Sequence, residues 1–336
     1  MRAAVWNTEG RLEVAERPSP PFADGDVLVR PRVVGICGSD LHFYRGEFTP
    51  FAGAVPGHEI AGLVESGSGF APGTLVAVEP TLPCGRCPAC RRGQSPTCQR
   101  LRLMGISAPG GMQELLAAPA LNVHPLPDGV DCEIGALAEP LAVCVRALNR
   151  AEIPVGARVL VLGSGTIGLL ATLLAAELAS EVAATARYPH QGDLARSFGA
   201  THVFAPDSAE LQEWSRRHPV DVVIETVGGA APTLMEAVNA VRPGGTVLAL
   251  GVFTQDVLVP VRKLVNQEVR LIGSVVYGHA GHQSEFGAAV GLLGRYAGRL
   301  AALKSAAYPL ARANDAFEHA LDKGRLAVKV SVSIDA

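Results

Sequence analysis

The stretch Arg158-Val159-Leu160-Val161-Leu162-Gly163-Ser164-Gly165-Thr166-Ile167-Gly168 decides the fold. Its first five residues form an apolar run, as expected of a strand buried on both faces. The next six read G-x-G-x-x-G, and the apolar pattern then continues to Ala179 at helical length. Strand, glycine turn and helix, in that order, form a dinucleotide site. Gly163 permits the tight turn, Gly165 lets the backbone approach a pyrophosphate, and Gly168 lets helix and strand pack closely. Ser164, Thr166 and Ile167 complete the loop, and the free N–H groups that open the helix face the phosphates.

Downstream the texture stays the same. Glu181–Thr185, Thr201–Phe204, Asp221–Glu225 and Thr246–Leu250 read as strands, with Asp193–Phe198 and Ala231–Val241 as helices. Such alternation predicts βαβ units and a doubly wound parallel sheet, an α/β domain of Rossmann type. Arg270–Tyr277 is expected to be its last strand. Glu285–Tyr296 and Asn314–Leu321 then read as helices and Ala327–Ser333 as a closing strand. Upstream, up to about Leu141, the chain is rich in Gly and Pro. Short β-like runs such as Val27–Val34, Ile60–Glu65 and Thr74–Val78 are separated by turns such as Asp24-Gly25-Asp26. That part predicts a second, mostly antiparallel β domain.

The ribose-binding position about 20 residues beyond the glycine loop distinguishes the two nicotinamide cofactors. It falls at Thr185-Ala186-Arg187-Tyr188, which holds no acid. A carboxylate there would repel a 2′-phosphate. Arg187 instead offers a bidentate donor pair, with Tyr188 and His190 lining the pocket. NADP(H) is therefore expected over NAD(H).

Composition narrows the class. The 336 residues carry a net charge of only −3 with both signs scattered, so no nucleic-acid or membrane surface is expected. Met1–Leu12 carries Arg2, Glu9 and Arg11 and lacks the apolar core of a secretory signal. The apolar stretch Val159–Ala179 is broken by glycines and contains Glu177, which argues against a membrane span. A soluble, cytoplasmic enzyme is the expectation.

Four of the seven cysteines, Cys84, Cys87, Cys90 and Cys98, follow C-x2-C-x2-C-x7-C. Four thiolates so spaced can close a tetrahedral zinc shell with no open position, which makes a structural site. Iron–sulfur ligation is the rival. A single short excursion between β segments favours zinc.

A second constellation is spread over about a hundred residues: Gly35-Ile36-Cys37-Gly38-Ser39-Asp40-Leu41-His42, then Gly57-His58-Glu59, then Ala138-Glu139-Pro140-Leu141-Ala142-Val143. Thiolate, imidazole and carboxylate all suit zinc, and three protein ligands leave a fourth place open. Singly, Cys37, His58 and Glu139 each also suit an ordinary buried or loop position.

Together with the four-cysteine lobe and the glycine loop, these motifs resemble the zinc-containing alcohol dehydrogenases of the medium-chain dehydrogenase/reductase superfamily, across essentially the whole chain. The E-P-L-A-V segment is similar to the sorbitol, threonine and sugar-alcohol dehydrogenase branch. The resemblance implies a GroES-like catalytic domain over residues 1–143 and 278–336 and a Rossmann cofactor domain over 144–277. It implies two zinc ions per chain. The catalytic one would sit on Cys37, His58 and either Glu59 or Glu139. Ser39 would be the proton-relay hydroxyl, His42 the relay terminus and Asp40 a supporting residue near the site. The implied reaction transfers a hydride between a secondary alcohol, polyol or sugar-like alcohol and the cofactor. The implied assembly is a homodimer or homotetramer in which the strand Arg270–Tyr277 extends the sheet across a twofold axis. A zinc-free quinone or enoyl reductase, or a non-catalytic binding protein, would share the scaffold. Cys37 and Cys84 argue against the first, and Ser39, His42 and the ligand set against the second. Many relatives carry a histidine where this chain has Arg146, and Cys132 and Cys144 fit no ligand pattern.

Overall fold

Alternating burial shapes the long strand Asp26–Gly35, in which Val27 and Val29 are fully buried. The computed structural model describes residues 1–67 and 69–334. It divides into one unit made of Met1–Ala142 and Gly281–Ala336 and another made of Val143–Ala280. Asp335 and Ala336, the end of the expected 278–336 segment, lie outside the described residues.

In the first unit a seven-stranded sheet runs Lys304–Pro309, Lys329–Ser333, Asp26–Gly35, Glu59–Gly67, Leu75–Val78 and Val123–Pro125, with Leu116–Pro119 also pairing Asp26–Gly35. All pairings are antiparallel except Lys304–Pro309 with Lys329–Ser333. Pro31 has no N–H to donate, and the register against Glu59–Gly67 shifts between Pro31 and Val33. The sheet closes over a core that includes Val34, Ile60, Val76, Met112 and Phe317. Fully burying such side chains contributes about 1.5–3 kcal/mol each. The register sets the site. Gly35 lies opposite Glu59 on one side and Ser331 on the other, so the ends of three adjacent strands converge beside Cys37, His58 and Lys329.

The second unit carries six parallel strands: β1 (Arg158–Leu162), β2 (Glu181–Thr185), β3 (His202–Phe204), β4 (Val220–Glu225), β5 (Val241–Ala249) and β6 (Arg270–Gly273). Their spatial order is β3-β2-β1-β4-β5-β6. This is the doubly wound order, in which strand succession reverses between β1 and β4 and opens a ligand crevice at their carboxyl ends. Leu160, Leu162, Val223, Val247 and Trp214 are among the buried residues on which the helices pack.

Several boundaries differ from expectation. The helix after the glycine loop spans Thr166–Ala175, four residues short of Ala179. The strand expected over Arg270–Tyr277 stops at Gly273. Ser274 donates its N–H to Ala249, and Val276 then takes φ +43°, which ends the extended backbone. Two of the elements that went unassigned in the sequence show why. The helix Ala209–Arg217 is capped by Ser208, whose Oγ accepts from the Leu211 N–H. The strand Lys304–Pro309 has no alternating apolar pattern to reveal it. Among the described residues, no helix is long and apolar enough to cross a membrane.

Candidate active site and cofactor loop

The helix Gly38–Tyr44 starts where strand Asp26–Gly35 ends, and Cys37 is its N-cap. Asp40, three residues on, turns back so that its Oδ2 accepts from the Cys37 N–H at 2.9 Å. The other oxygen, Oδ1, lies 3.7 Å from His58 Nδ1. Asp40 thus ties the cysteine backbone and the histidine ring together, and both acid and imidazole are buried. With Nδ1 turned to Asp40, the His58 ring presents Nε2 to Ser39 Oγ at 3.5 Å. Carboxylates commonly orient metal-binding histidines in this way. Burial alone would push the His58 pKa down. Asp40 first, then Cys37 and Glu139, more than offset this and hold it well above the usual histidine value. Burial raises the Asp40 pKa, with His58 and the Cys37 N–H pulling back.

His58 and Glu59 are adjacent in sequence but face different partners. Both Glu59 carboxylate oxygens accept from Lys329 Nζ at 2.6 Å, and Lys329 also donates to the Ile36 carbonyl at 3.2 Å. The pair is buried on both sides, at 1% and 7% exposure. Burial would lower the Lys329 pKa, but Glu59, then Cys37 and Glu139, leave it raised. Gly35 makes room for this arrangement, since a Cβ there would fall 1.9 Å from Glu59 Oε2. Glu139 comes from the helix Ala138–Ala151, is 5% exposed, and acts electrostatically on both His58 and Lys329. Cys37, His58 and Glu139 thus share one neighbourhood with the Glu59–Lys329 pair, in which both Glu59 oxygens are taken up by Lys329. The donor set, one thiol, one imidazole and one carboxylate around a pre-oriented ring, fits a zinc ion.

Ser39 and His42 lie one turn apart on the helix Gly38–Tyr44. Ser39 faces His58, whereas His42 turns its Nδ1 to Glu47. Lys329 and Glu47 escaped the sequence reading, and Gly35 was named there without a role. Lys329 stands 270 residues from Glu59, so no local pattern links them. Glu47 is five residues after His42, and that spacing was the one local signal that could have found it.

The four-cysteine lobe is already assembled. The ligand atoms of Cys84, Cys87, Cys90 and Cys98 lie within 4.8 Å of one another, the one such gathering of three or more His, Cys, Asp or Glu among the described residues. The Cys37 set is not drawn to that span. Backbone N–H groups, first that of Cys90, pull the Cys87 pKa down to about 6, while burial and Cys87 push that of Cys90 up to about 12. Such thiols release protons when they take a metal. Cys144 is fully buried and Cys132 half-buried, neither in this cluster. Arg146 is half-buried on the helix Ala138–Ala151.

In the second unit the glycine loop follows β1 and Gly165 caps the helix Thr166–Ala175. Gly163 takes φ +99°, and a Cβ on Gly168 would fall 1.9 Å from the Gly163 carbonyl oxygen. A Cβ on Gly165 would meet nothing within 4 Å, so this backbone faces open space where a phosphate can approach. Thr185 Oγ1 accepts from the Gly163 N–H at 2.8 Å, and the Ser164 hydroxyl donates to the Thr185 carbonyl at 2.8 Å, which locks the loop to β2. Just past β2, Arg187 is exposed, and the Tyr188 and His190 rings stack at 5.8 Å.

Comparison with known proteins gives the family. Residues 23–128 match the family described as alcohol dehydrogenase GroES-like domain, and residues 166–295 match zinc-binding dehydrogenase. The chain is 31% identical to 2-dehydro-3-deoxy-L-galactonate 5-dehydrogenase of Pseudoalteromonas atlantica, over 82% of this chain and 84% of that protein. It is also 31% identical to a D-xylulose reductase A of Aspergillus fumigatus, over 84% and 83%. Among solved structures, a zinc-binding dehydrogenase from Sinorhizobium meliloti bound to NADP superimposes with TM-score 0.90 at 30% identity, covering 99% of this chain and 98% of that one. A GroES-like domain and a zinc-binding dehydrogenase domain, matched in order along one chain that is 31% identical to a named dehydrogenase and a named reductase over more than four-fifths of its length, make this protein a member of the zinc-containing alcohol dehydrogenases of the medium-chain dehydrogenase/reductase superfamily.

Proposed function

We propose that this dehydrogenase oxidises a secondary alcohol of a polyol or sugar-acid type, or reduces the matching ketone, with NADP(H) and two zinc ions per chain. The unit Met1–Ala142 with Gly281–Ala336 serves as catalytic domain, and Val143–Ala280 as cofactor domain. The observation that carries the reading is the position of Asp40, which accepts from the Cys37 N–H and lies within ion-pair reach of the His58 ring at 3.7 Å.

Cys37, His58 and Glu139 hold the catalytic zinc. Glu59 stands in reserve, because both its oxygens are on Lys329. Zinc, when bound, supplies a Lewis acid that lowers the pKa of an alcohol ligand. The chain's own residues do the rest. Asp40 keeps the His58 ring in one orientation. Ser39 offers its hydroxyl to the substrate's proton, and His42 takes that proton onward. Cys84, Cys87, Cys90 and Cys98 hold the second zinc as a staple. Arg187, in a segment with no competing acid, selects the 2′-phosphate of NADP, and the S. meliloti structure was bound to that same cofactor. The polyol and sugar-acid class rests on the names of the two relatives. A cytoplasmic homo-oligomer is part of the proposal.

A panel of secondary alcohols, polyols and sugar acids, followed by NADPH absorbance with and without a chelator, tests this reading. Turnover that the chelator abolishes and added zinc restores is expected. Turnover untouched by exhaustive chelation would overturn it.

A further inference from the structure

A relay histidine must deliver its proton to water, yet the His42 side chain is only 13% exposed. The side chain hydrogen-bonded to it, Glu47, is 36% exposed. The chain reaches this geometry by a local device. The helix Gly38–Tyr44 is closed by Arg45, and Gly46 follows at φ +76°. That turn sends Glu47 back over the last helical turn, where its N–H donates to the His42 carbonyl at 3.0 Å. The carboxylate then meets the ring. Oε2 accepts from His42 Nδ1, and Oε1 lies 3.7 Å from Arg45 Nη1. Phe48 packs on the same imidazole, with centroids 5.5 Å apart, so the ring is held on one face by an aromatic and at one edge by an acid.

Resting on the dehydrogenase reading, we infer that Glu47 is a positioning residue for the proton relay: it fixes His42 in the tautomer with the proton on Nδ1, leaves Nε2 as the accepting atom, and forms the relay's solvent terminus. An ionised carboxylate can only accept, so the Nδ1–H must donate and Nε2 is left bare. A proton arriving at Nε2 produces an imidazolium that Glu47 stabilises. The Nδ1 proton then passes through Glu47 to bulk water, and exchange with water returns the proton left on Nε2 to Nδ1, so that His42 is again neutral with Nε2 bare and Glu47 is ionised. The hydrogen bond from His42 holds the Glu47 carboxyl below the usual carboxylate range, so it stays ionised at neutral pH.

The test uses the zinc-loaded full-length enzyme. Long-range 15N–1H correlation on 15N-histidine protein, with His42 assigned by its loss in His42→Asn, reads the tautomer directly. Wild type is expected to carry the proton on Nδ1, and Glu47→Ala to move toward Nε2–H. In alcohol oxidation, Glu47→Ala should lose about tenfold or more in kcat, with KM little changed and a larger solvent isotope effect. Formate should restore part of the rate, and Glu47→Asp should keep most of it. A purely structural role predicts no rescue by formate. An unchanged tautomer in Glu47→Ala, or wild-type kcat and isotope effect in that variant, overturns the inference. A wild-type enzyme that oxidises no alcohol sinks the dehydrogenase reading and this inference with it. An active wild type with an unaltered variant removes only the role of Glu47.

Discussion

Both carboxylate oxygens of Glu59 lie 2.6 Å from Nζ of Lys329, although 270 residues separate the two in sequence. A buried pair of this kind contributes little net stability against an apolar replacement, but removing one partner leaves a buried charge without compensation. Lys329→Met is therefore expected to destabilise the catalytic unit by about 3–5 kcal/mol, and Lys329→Met with Glu59→Gln to recover most of that loss. Gly35→Ala would press on the same carboxylate, at a cost of about 1–3 kcal/mol. Denaturant unfolding of the four proteins checks this. A Lys329→Met variant as stable as wild type would show that the pair does not hold Glu59.

Breaking the cysteine lobe should remove one metal and leave the other. Cys84→Ser is expected to bind one zinc per chain and to unfold at lower temperature. Each kcal/mol lost lowers the midpoint by about 2–4 °C in a unit of 150–250 residues. Elemental analysis paired with thermal unfolding reads both effects. An unchanged zinc content would reject these four thiolates as a metal shell.

Cofactor choice is predicted to hinge on Arg187. Loss of a charge-assisted hydrogen bond to a phosphate amounts to roughly 1.5–3 kcal/mol. Arg187→Ala should accordingly lower kcat/KM for NADP by about 10–100-fold while leaving that for NAD nearly unchanged. Equal losses with both cofactors would place Arg187 outside the 2′-phosphate site.

Acid stability of the cofactor unit carries its own signature. Asp221 Oδ2 accepts from the Arg158 N–H and Oδ1 from Arg242 Nε, both at 2.7 Å, which joins the starts of β1, β4 and β5. Burial pushes the Asp221 pKa up, but the Arg158 N–H and then Arg242 outweigh it and hold it below 3.8. A depressed carboxylate pKa stabilises the folded state above the unfolded value, and that stability is lost as pH falls through the folded pKa. Because the Asp221 side chain is 25% exposed and its Arg242 partner 39%, solvent screens the pair, and Asp221→Asn should cost about 1 kcal/mol at pH 7. The difference from wild type should shrink below about pH 4. Paired denaturation curves at pH 7 and pH 3.5 measure it, and a difference that widens on acidification would contradict the assignment.

Local patterns carried most of the fold into view. The apolar run Arg158–Leu162 and the glycines after it depend on neighbours in sequence, so they read correctly as strand, turn and helix start. Lys304–Pro309 did not, because its place in the sheet comes from parallel pairing with Lys329–Ser333 and not from an alternating face. The same division runs through the site. Cys37, Ser39, Asp40 and His42 sit on one short helix and were legible together. The partner of Glu59 was not, because it is a lysine delivered by the strand Lys329–Ser333, far along the chain.

Metal content and turnover of Cys37→Ser, measured beside wild type, decide whether a zinc ion on Cys37 drives the reaction. Two zinc ions per chain are expected in wild type and one in the variant. The variant should lose alcohol-dependent NADPH formation and retain NADP binding. A variant that keeps both its zinc and its wild-type turnover would contradict that role for zinc.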